Sequence, residues 1–384
     1  MFKRVALFLV LSLAAAGVAV TASSTADSAS KQSSASRMVV GFYDDESVYG
    51  RTDWAFRHLK ALRAGVIRIT LNWANVARRR PKAAADPSDP AYNWDAVDQV
   101  VTQAARNRIR VVMAIYGTPR WAGRAVNRLP RRIVDLRLFA FAAATRYSGS
   151  YQIELTAETP RTLPAVRHWL AWNEPNNPVF LRPQWKMVKR KWRPQSAYSY
   201  AKICSAIYAG VKSTALAGQK VGCGVTGPRG NDAPRSSRRS TSPLVFMTWL
   251  RRAGLRRFDA YAHHPYYVSR TEKPTTPPKS KKAVTLGNIG VLIKHLNRLW
   301  GRKRLWITEY GYQTRPPDRF FGVSYRAQAR YVQQAIKRAR ATRRVDMFIW
   351  FLIRDERRLS GWQSGVLTVN GRRKPAYRAF QRRR

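Results

Sequence analysis

Residues 166–176 read VRHWLAWNEPN, an apolar run that leads into Asn-Glu-Pro and so presents Glu174. A second apolar run, RLWIT at residues 304–308, leads directly into Glu309 and then into a turn marked by Gly311. Short apolar runs of this composition are typical of buried strands, and glycine relaxes the backbone of the turn that follows. The sequence therefore predicts two glutamates at the carboxyl ends of two buried strands.

Eight apolar segments of strand length alternate with amphipathic segments, a pattern typical of βα units around a parallel sheet. The predicted strands are Met38–Tyr43, Ala64–Leu71, Arg110–Tyr116, Val166–Ala171, Lys220–Val225, Phe258–Ala262, Arg304–Thr308 and Asp346–Leu352. A chain of 384 residues is long enough for one (β/α)8 barrel, a TIM barrel of the α/β class. We expect a single domain with long loops at the C-terminal face, where such barrels build their active sites.

The first 37 residues differ in composition from the rest of the chain. Two basic residues precede the apolar run Val5–Val20 and then small residues, the layout of a secretory signal peptide over residues 1–22. The run is short for a membrane span, so we expect cleavage, a secreted protein and no stable span afterwards. Residues 23–37 are rich in Ser and Ala, which predicts a disordered spacer before the domain at 38–384.

The charge is strongly positive, because 71 Lys and Arg face 21 Asp and Glu, a formal net charge of +50. Such a field attracts polyanions at low salt. Three interpretations follow: retention on an anionic cell wall or extracellular polymer, an acidic polysaccharide as substrate, or nucleic-acid binding. No groove-entering motif is present, so we expect no specific nucleic acid. A coding bias without any partner also remains open.

The two cysteines are Cys204, in a helical pattern, and Cys223, in a strand pattern. A single disulfide and two buried thiols are both open, because the sequence does not show the geometry of a bridge. The five histidines lack the spacing of metal ligands. We therefore predict no metal and no cofactor.

The segment 175–194, which follows the strand that leads to Glu174, combines Trp185 and Trp192 with six basic residues and no acidic one. Aromatic rings beside cations predict the floor of a sugar-binding cleft. The alternative is a solvated flap whose tryptophans only cover the rim of the barrel. Clustered exposed aromatic side chains usually mark a binding surface, which favours the cleft.

Five motifs near the predicted strand ends carry a family resemblance. They are Arg68 with Asn72-Trp73, Tyr92-Asn93-Trp94 with Asp98, Tyr116–Ala122 (YGTPRWA), Trp172–Pro175 (WNEP) and Thr308–Gly311 (TEYG). In this order they resemble clan A glycoside hydrolases, above all secreted bacterial members of the family 39-like and family 5-like type. The resemblance covers nearly all of Met38–Phe380 and implies a TIM-barrel glycosidase that retains anomeric configuration.

The resemblance also implies roles for individual residues. Glu174 would be the acid/base and Glu309 the nucleophile, the two carboxyls that a retaining mechanism needs. Arg68 and Tyr266 would stabilise the carboxylate of Glu309. Asn173 would bind the sugar hydroxyl next to the anomeric carbon. Purely structural roles remain the alternative, such as a barrel-interior arginine paired with an unrelated acid.

Three further residues are implied to bind substrate. His264 would hydrogen-bond the sugar, although the adjacent His263 competes for this role. Trp350 would form an apolar platform, and a shift of one residue would give that place to Phe351. Trp121 belongs to the motif after the third predicted strand and is the third of these implied substrate-binding residues.

Two functions are carried forward. The first is a secreted retaining glycosidase that cleaves β-linked bonds of a poly- or oligosaccharide. The second is a non-catalytic, strongly basic glycan- or cell-wall-binding protein on the same scaffold. Tyr116 stands where some relatives have a histidine near the sugar, so the identity of the sugar stays open. The fold alone does not separate the two functions.

Overall fold

The structure is a computed structural model that describes residues 38–154 and 160–383, without the side chain of Glu154. The predicted signal peptide and spacer, residues 1–37, lie outside the described residues. Within the described part, no helix combines the length and the apolar character needed to cross a membrane.

The described part of the chain has twelve strands. Eight of them close into a parallel barrel in the order β1-β12-β11-β10-β9-β6-β3-β2. The strands are β1 (Val39–Tyr43), β2 (Val66–Asn72), β3 (Arg110–Tyr116), β4 (Gln152–Glu154), β5 (Pro160–Thr162), β6 (His168–Ala171), β7 (Lys186–Val188), β8 (Lys191–Arg193), β9 (Lys220–Thr226), β10 (Ala260–His263), β11 (Arg304–Tyr310) and β12 (Val345–Phe351). The predicted (β/α)8 barrel is confirmed, and the predicted strand ends differ from the observed ones by at most two residues.

Helices surround the barrel. They are α1 (Asp45–Gly50), α2 (Thr52–Ala61), α3 (Trp73–Val76), α4 (Asp95–Arg106), α5 (Ile133–Arg146), α6 (Gln195–Lys212), α7 (Pro243–Arg252), α8 (Ile289–Trp300), α9 (Tyr325–Ala341) and α10 (Pro375–Gln381), with a 3-10 turn at Leu286–Asn288. Most long connections leave the carboxyl ends of the strands, as predicted. Two antiparallel hairpins were not predicted: β4–β5 lies between α5 and β6, and β7–β8 lies in the loop after β6.

Two cores result from the alternation of side chains along each strand. In β2, Val66 belongs to a cluster inside the barrel, whereas Ile67 and Ile69 pack against the helices. Trp306 fills much of the barrel interior, and a Cβ atom added at Gly222 would lie 2.6 Å from its ring. The glycine in β9 therefore provides the space that the indole occupies.

The barrel closes where the first and last strands meet. All five residues of β1 pair with β12, from Val39 opposite Met347 to Tyr43 opposite Phe351. Helix α10 packs over this junction, because the ring of Phe380 lies 4.8 Å from that of Phe42 and 5.5 Å from that of Trp350. The two ends of the domain are thus held together by backbone pairing and by aromatic contacts.

Cys204 in α6 and Cys223 in β9 form a disulfide, which decides between the two alternatives that the sequence left open. Both cysteines are fully buried. The bond fastens a helix of the outer layer to a strand of the barrel wall. Because the cysteines are 19 residues apart, the bridge restricts a short loop of the unfolded chain.

Reduction of this bond should lower the free energy of unfolding by about 3 kcal/mol, the loop-closure value for a loop of this size. Urea unfolding with and without a thiol reductant measures the change. The double variant Cys204→Ala/Cys223→Ala is the control and should show no response to the reductant. An unchanged unfolding midpoint of the reduced wild-type protein would contradict the expected contribution.

Candidate active site

The backbone of β11 turns two consecutive side chains toward the barrel axis. In a regular strand, Thr308 and Glu309 would face opposite sides. Instead, Thr308 Oγ1 lies 3.0 Å from His264 Nε2, and Glu309 Oε1 lies 2.6 Å from Arg68 Nη1. The register between β11 and β12 shifts between Ile307 and Tyr310, as at a β-bulge. This irregularity explains how both side chains reach the site.

A similar departure follows β6. Trp172 has a φ of 70° and Glu174 a φ of 32°, in the left-handed region that bulky residues rarely adopt. The indole of Trp172 is fully buried, and its Nε1 donates to the carbonyl of Phe180, which holds the turn in place. As a result, Asn173 and Glu174 both point into the site although they are adjacent. Such backbone strain is typical of functional sites.

Arg68 is the centre of the site. Its Nη1 donates to Glu309 Oε1 at 2.6 Å and to the carbonyl oxygen of Thr308 at 3.2 Å, and its Nη2 donates to Asn173 Oδ1 at 2.7 Å. The guanidinium lies 4.3 Å from the ring centroid of Tyr43. Arg68 is 1% exposed, so one buried cation joins three strand ends of the barrel.

Glu309 is held through both of its oxygens. Oε1 accepts from Arg68, and Oε2 accepts from the Tyr266 hydroxyl at 3.1 Å. Burial and the nearby charge of Glu309 hold the pKa of Tyr266 well above its ordinary value, so the phenol remains a donor. Arg68, Asn173, Tyr266 and Glu309 come together as the sequence predicted.

His264 is also part of this group, but its contacts differ from the predicted role. Because a guanidinium only donates, His264 Nε2 accepts from Arg68 at 3.1 Å, and the ring proton lies on Nδ1. Nδ1 then donates to Glu174 Oε1 at 3.0 Å. Burial lowers the pKa of His264 to about 3, so the ring is neutral near pH 7. With both nitrogens engaged and no exposed surface, His264 positions Glu174, and the predicted hydrogen bond from His264 to a sugar is corrected.

The competing histidine, His263, is a buried core residue. Its Nδ1 lies 2.8 Å from Thr226 Oγ1, and its Nε2 lies 3.0 Å from the carbonyl oxygen of Val284. Alternation along β10 turns it toward the outer layer. The register between β10 and β9 shifts just before His263, and the next residue then faces the barrel axis.

Glu174 has a less charged environment than Glu309. Its Oε1 accepts from His264, and its Oε2 accepts from Asn177 Nδ2 at 3.0 Å. Burial raises the pKa of Glu174, and the hydrogen bond from Asn177 and the charges of Arg68 and Arg229 offset this rise in part. One oxygen of Glu174 and one of Glu309 lie within 4.8 Å of each other.

Two predicted substrate-binding residues lie elsewhere. Trp350 is fully buried and faces the outer helices, where its Nε1 donates to the carbonyl of Ser364, so the prediction of a sugar platform is corrected. The cause is the alternation of β12, which turns Phe351 inward instead. Trp121 packs edge-on against Trp73 at the rim, and no described contact joins it to either glutamate.

Three residues of the site were missed by the sequence reasoning. Asn177 contacts Glu174, Tyr43 stacks on Arg68, and Trp362 packs 5.0 Å from the ring of Tyr266 and 5.5 Å from that of Phe351. The inward alternation of β1 could have indicated Tyr43, which is the last residue of its strand. Asn177 and Trp362 lie in loops, where no periodicity exists to indicate a direction.

Glu174, His264 and Glu309 also present one ligand atom each within 4.8 Å of one another, a spacing compatible with a metal ion. The surrounding charges argue against such a site. The guanidinium of Arg68 occupies one oxygen of Glu309, and the ring proton of His264 lies on the nitrogen that faces the carboxyls. A cation there would have to displace both interactions.

No protein-family model and no curated protein matches the chain. Its structure is similar to that of a family 39 glycoside hydrolase from the gut symbiont Bacteroides cellulosilyticus WH2, with a TM-score of 0.61 and 16% identity over 90% of this chain and 63% of that chain. It is also similar to a family 39 enzyme from Xanthomonas axonopodis pv. citri, with a TM-score of 0.56 and 18% identity over 90% of this chain and 65% of that chain.

A structure of fungal β-1,4-galactanases is similar as well, with a TM-score of 0.57 and 14% identity over 90% of this chain and 99% of that chain. At these identities the likeness shows the fold alone, a (β/α)8 barrel shared with these glycoside hydrolases. The resemblance found in the sequence is therefore confirmed at the level of the fold. The chain spans slightly less than two thirds of the two family 39 proteins, so its activity and substrate are proposals.

Asn177→Ala should raise the pKa of Glu174, because the hydrogen bond that favours the charged carboxylate is lost. Carbon-13 NMR of the side-chain carboxyls measures this pKa, and with seven glutamates in the sequence the spectrum is simple to assign. Asn107→Ala, which removes an asparagine that bonds only a helix carbonyl, is the control. A pKa that falls or stays constant in Asn177→Ala would contradict the described contact.

Proposed function

We propose that this protein is a retaining glycoside hydrolase that works by double displacement, with Glu174 as acid/base and Glu309 as nucleophile. The proposal rests on the close approach of Glu174 and Glu309, whose carboxyl oxygens lie within 4.8 Å of each other in two different electrostatic environments. Retaining glycosidases hold their two carboxyls about 5–5.5 Å apart, whereas inverting enzymes leave room for a water between them. The spacing supports retention.

The environment of Glu309 suits a nucleophile. Arg68 and Tyr266 donate to its two oxygens, and these charge-assisted hydrogen bonds stabilise the anion and fix its orientation. In the first step an oxygen of Glu309 attacks the anomeric carbon while the bond to the leaving oxygen breaks. The product is a glycosyl ester of Glu309, which retains the sugar until water arrives.

The environment of Glu174 suits an acid that later acts as a base. Burial favours its protonated form, and its hydrogen-bond partners His264 and Asn177 are neutral. In the first step Glu174 gives its proton to the leaving oxygen. In the second step it takes a proton from the attacking water, which cleaves the ester and frees Glu309, so protons and charges balance over the cycle.

The sugar itself would be bound by the groups that remain available. Asn173 accepts from Arg68 through its oxygen, and its Nδ2 donates to no described residue, so it can bind the hydroxyl next to the anomeric carbon. Phe351 and Trp362 form an apolar wall beside Tyr266. Apolar rings of this kind pack against the hydrophobic face of a sugar.

We further propose that the substrate is a β-linked poly- or oligosaccharide and that the protein is secreted. The signal-peptide layout of residues 1–22 supports secretion. The β linkage rests on the resemblance to clan A, and the similar structures include β-1,4-galactanases and a β-glucosidase. The high positive charge would in addition retain the enzyme on anionic wall or extracellular polymers.

Hydrolysis of a panel of aryl β-glycosides and polysaccharides tests the activity and the two roles. Glu309→Ala should abolish turnover of every substrate, because no ester can form. Glu174→Ala should retain turnover of aryl glycosides whose leaving group needs no proton, and added azide should raise its rate by replacing the base-activated water. An equal loss of activity in the two variants on such aryl glycosides would contradict the assignment. Binding without hydrolysis across the panel would favour the non-catalytic glycan-binding protein.

Arg68→Lys keeps the charge but cannot contact Glu309 and Asn173 together, so kcat should fall about 10- to 100-fold from the lost charge-assisted hydrogen bonds. Arg146→Lys is a matched control, because Arg146 forms a buried pair with Asp98 away from the site. It should lower the melting temperature with kcat unchanged. Equal effects of the two variants on kcat, measured with folded protein, would show that Arg68 acts only through stability.

A further inference from the structure

A groove of about 600 Å³ lies beside Glu174. It is bordered by the loop after β6, the loop after β9 and Arg128 from the loop after β3, and no aspartate or glutamate lines it. Five arginines line this volume: Arg128, Arg182, Arg229, Arg238 and Arg239. We call this feature the arginine groove. It concentrates positive charge next to one of the two carboxyls.

The groove is joined to the site through Asn177. This residue lines the groove and also donates to Glu174 Oε2. The backbone of the loop after β9 approaches equally closely, because a Cβ atom added at Gly227 would lie 2.9 Å from the carboxyl carbon of Glu174. Two residues later, Arg229 is near enough for its charge to lower the pKa of Glu174. The arginine groove is therefore directly adjacent to the carboxyl of Glu174.

The cations of the arginine groove have no counter-ions in the described part of the chain, where none of the five arginines forms an ion pair with a carboxylate. Arg182 and Arg239 only donate to the backbone carbonyls of Pro178 and Ser236. Like charges held close together repel one another, and an anion that binds between them relieves this repulsion. The groove is thus suited to an anionic ligand.

Trp185 gives the groove an aromatic surface as well. The ring is partly buried, and its Nε1 donates to the carbonyl of Ser240 at 3.2 Å, which fixes its orientation. The hairpin β7–β8 follows directly, and its Trp192 lies under the guanidinium of Arg239, 5.8 Å from the ring centroid. A fixed indole beside guanidinium groups can pack against a sugar ring while the cations bind the substituents of that ring.

The position of the groove decides which part of a substrate it would hold. In the proposed mechanism Glu174 protonates the leaving oxygen, so the leaving group lies on the side of Glu174 and the attacked sugar lies on the side of Glu309. We propose that the arginine groove is the leaving-group subsite and that it binds a sugar carrying a carboxylate or a sulfate. This inference rests on the proposed glycosidase function and names its substrate class, a β-linked anionic glycan.

Binding to an inactive protein tests the inference without any need for hydrolysis. Glu309→Gln serves as the background. The probes are tetramannuronate, which is β-linked and carries carboxylates, a carrageenan tetrasaccharide, which carries only sulfates, and neutral cellotetraose. Affinities are measured by calorimetry at low and at physiological salt. The test variant is Arg238→Gln/Arg239→Gln, and the control is Arg106→Gln/Arg257→Gln, which removes the same charge from exposed positions near the amino ends of the strands.

We expect at least one anionic tetrasaccharide to bind more tightly than cellotetraose, and the test variant to lose about 10-fold in affinity while the control loses little. Preference between the two anionic probes identifies the carboxylate or the sulfate as the recognised group. Quenching of tryptophan fluorescence should accompany binding and should be absent in Trp185→Leu.

Three results would overturn the inference. Equal losses of affinity in the test variant and the control would show that the overall charge attracts the probe and that the groove is not a specific subsite. Equal affinity for cellotetraose would show that the anion is not recognised. Tighter binding of a random-sequence RNA through the same arginines would assign the groove to nucleic acid. If the wild-type protein hydrolyses no substrate yet the variants separate as expected, the glycosidase function fails and the anionic glycan site stands.

Discussion

A single buried cation, Arg68, determines how the carboxyl ends of three strands are arranged. A guanidinium inside a barrel is costly unless hydrogen bonds replace the lost water. Glu309, Asn173 and the Thr308 carbonyl accept from the two terminal nitrogens of Arg68, whereas its buried Nε has no hydrogen-bond partner among the described residues. The reverse also holds, because Glu309 without Arg68 would be a nearly buried carboxylate paired only with Tyr266. Local departures from regular backbone, at the β11 bulge and around Trp172, are tolerated because they bring these partners together.

The two carboxyls differ in chemistry because their neighbours differ in charge. Glu309 contacts a permanent cation, whereas Glu174 contacts a neutral imidazole and an amide. The imidazole is neutral since it is buried and since Arg68 already donates to its second nitrogen. Arg68 therefore acts on both residues, directly on Glu309 and through the tautomer of His264 on Glu174. One residue thus produces the difference between the proposed acid and the proposed nucleophile.

Patterns in the sequence predicted the barrel, the strand positions and most of the polar cluster, because parallel strands bring their carboxyl ends to one face. Errors arose where the direction of a side chain mattered. Trp350 and Phe351 are both apolar, and only the observed register shows which one faces the site. His264 was found, but its role was not, since this depends on Arg68 from a distant strand. Asn177 and Trp362 lie in loops without periodicity. The disulfide could not be predicted because the sequence does not show how close the two cysteines lie in the fold.

The junction between β1 and β12 has a consequence for biosynthesis. Among the barrel strands, β1 is synthesised first. It can pair early with β2, but its other edge stays unpaired until β12, the last barrel strand, has been synthesised. Until then the chain exposes unpaired backbone that other chains could bind. The proposed secretion would place this step on the far side of the membrane, where the disulfide can also form. Truncation before α10 would remove the aromatic cover of the junction and leave it open.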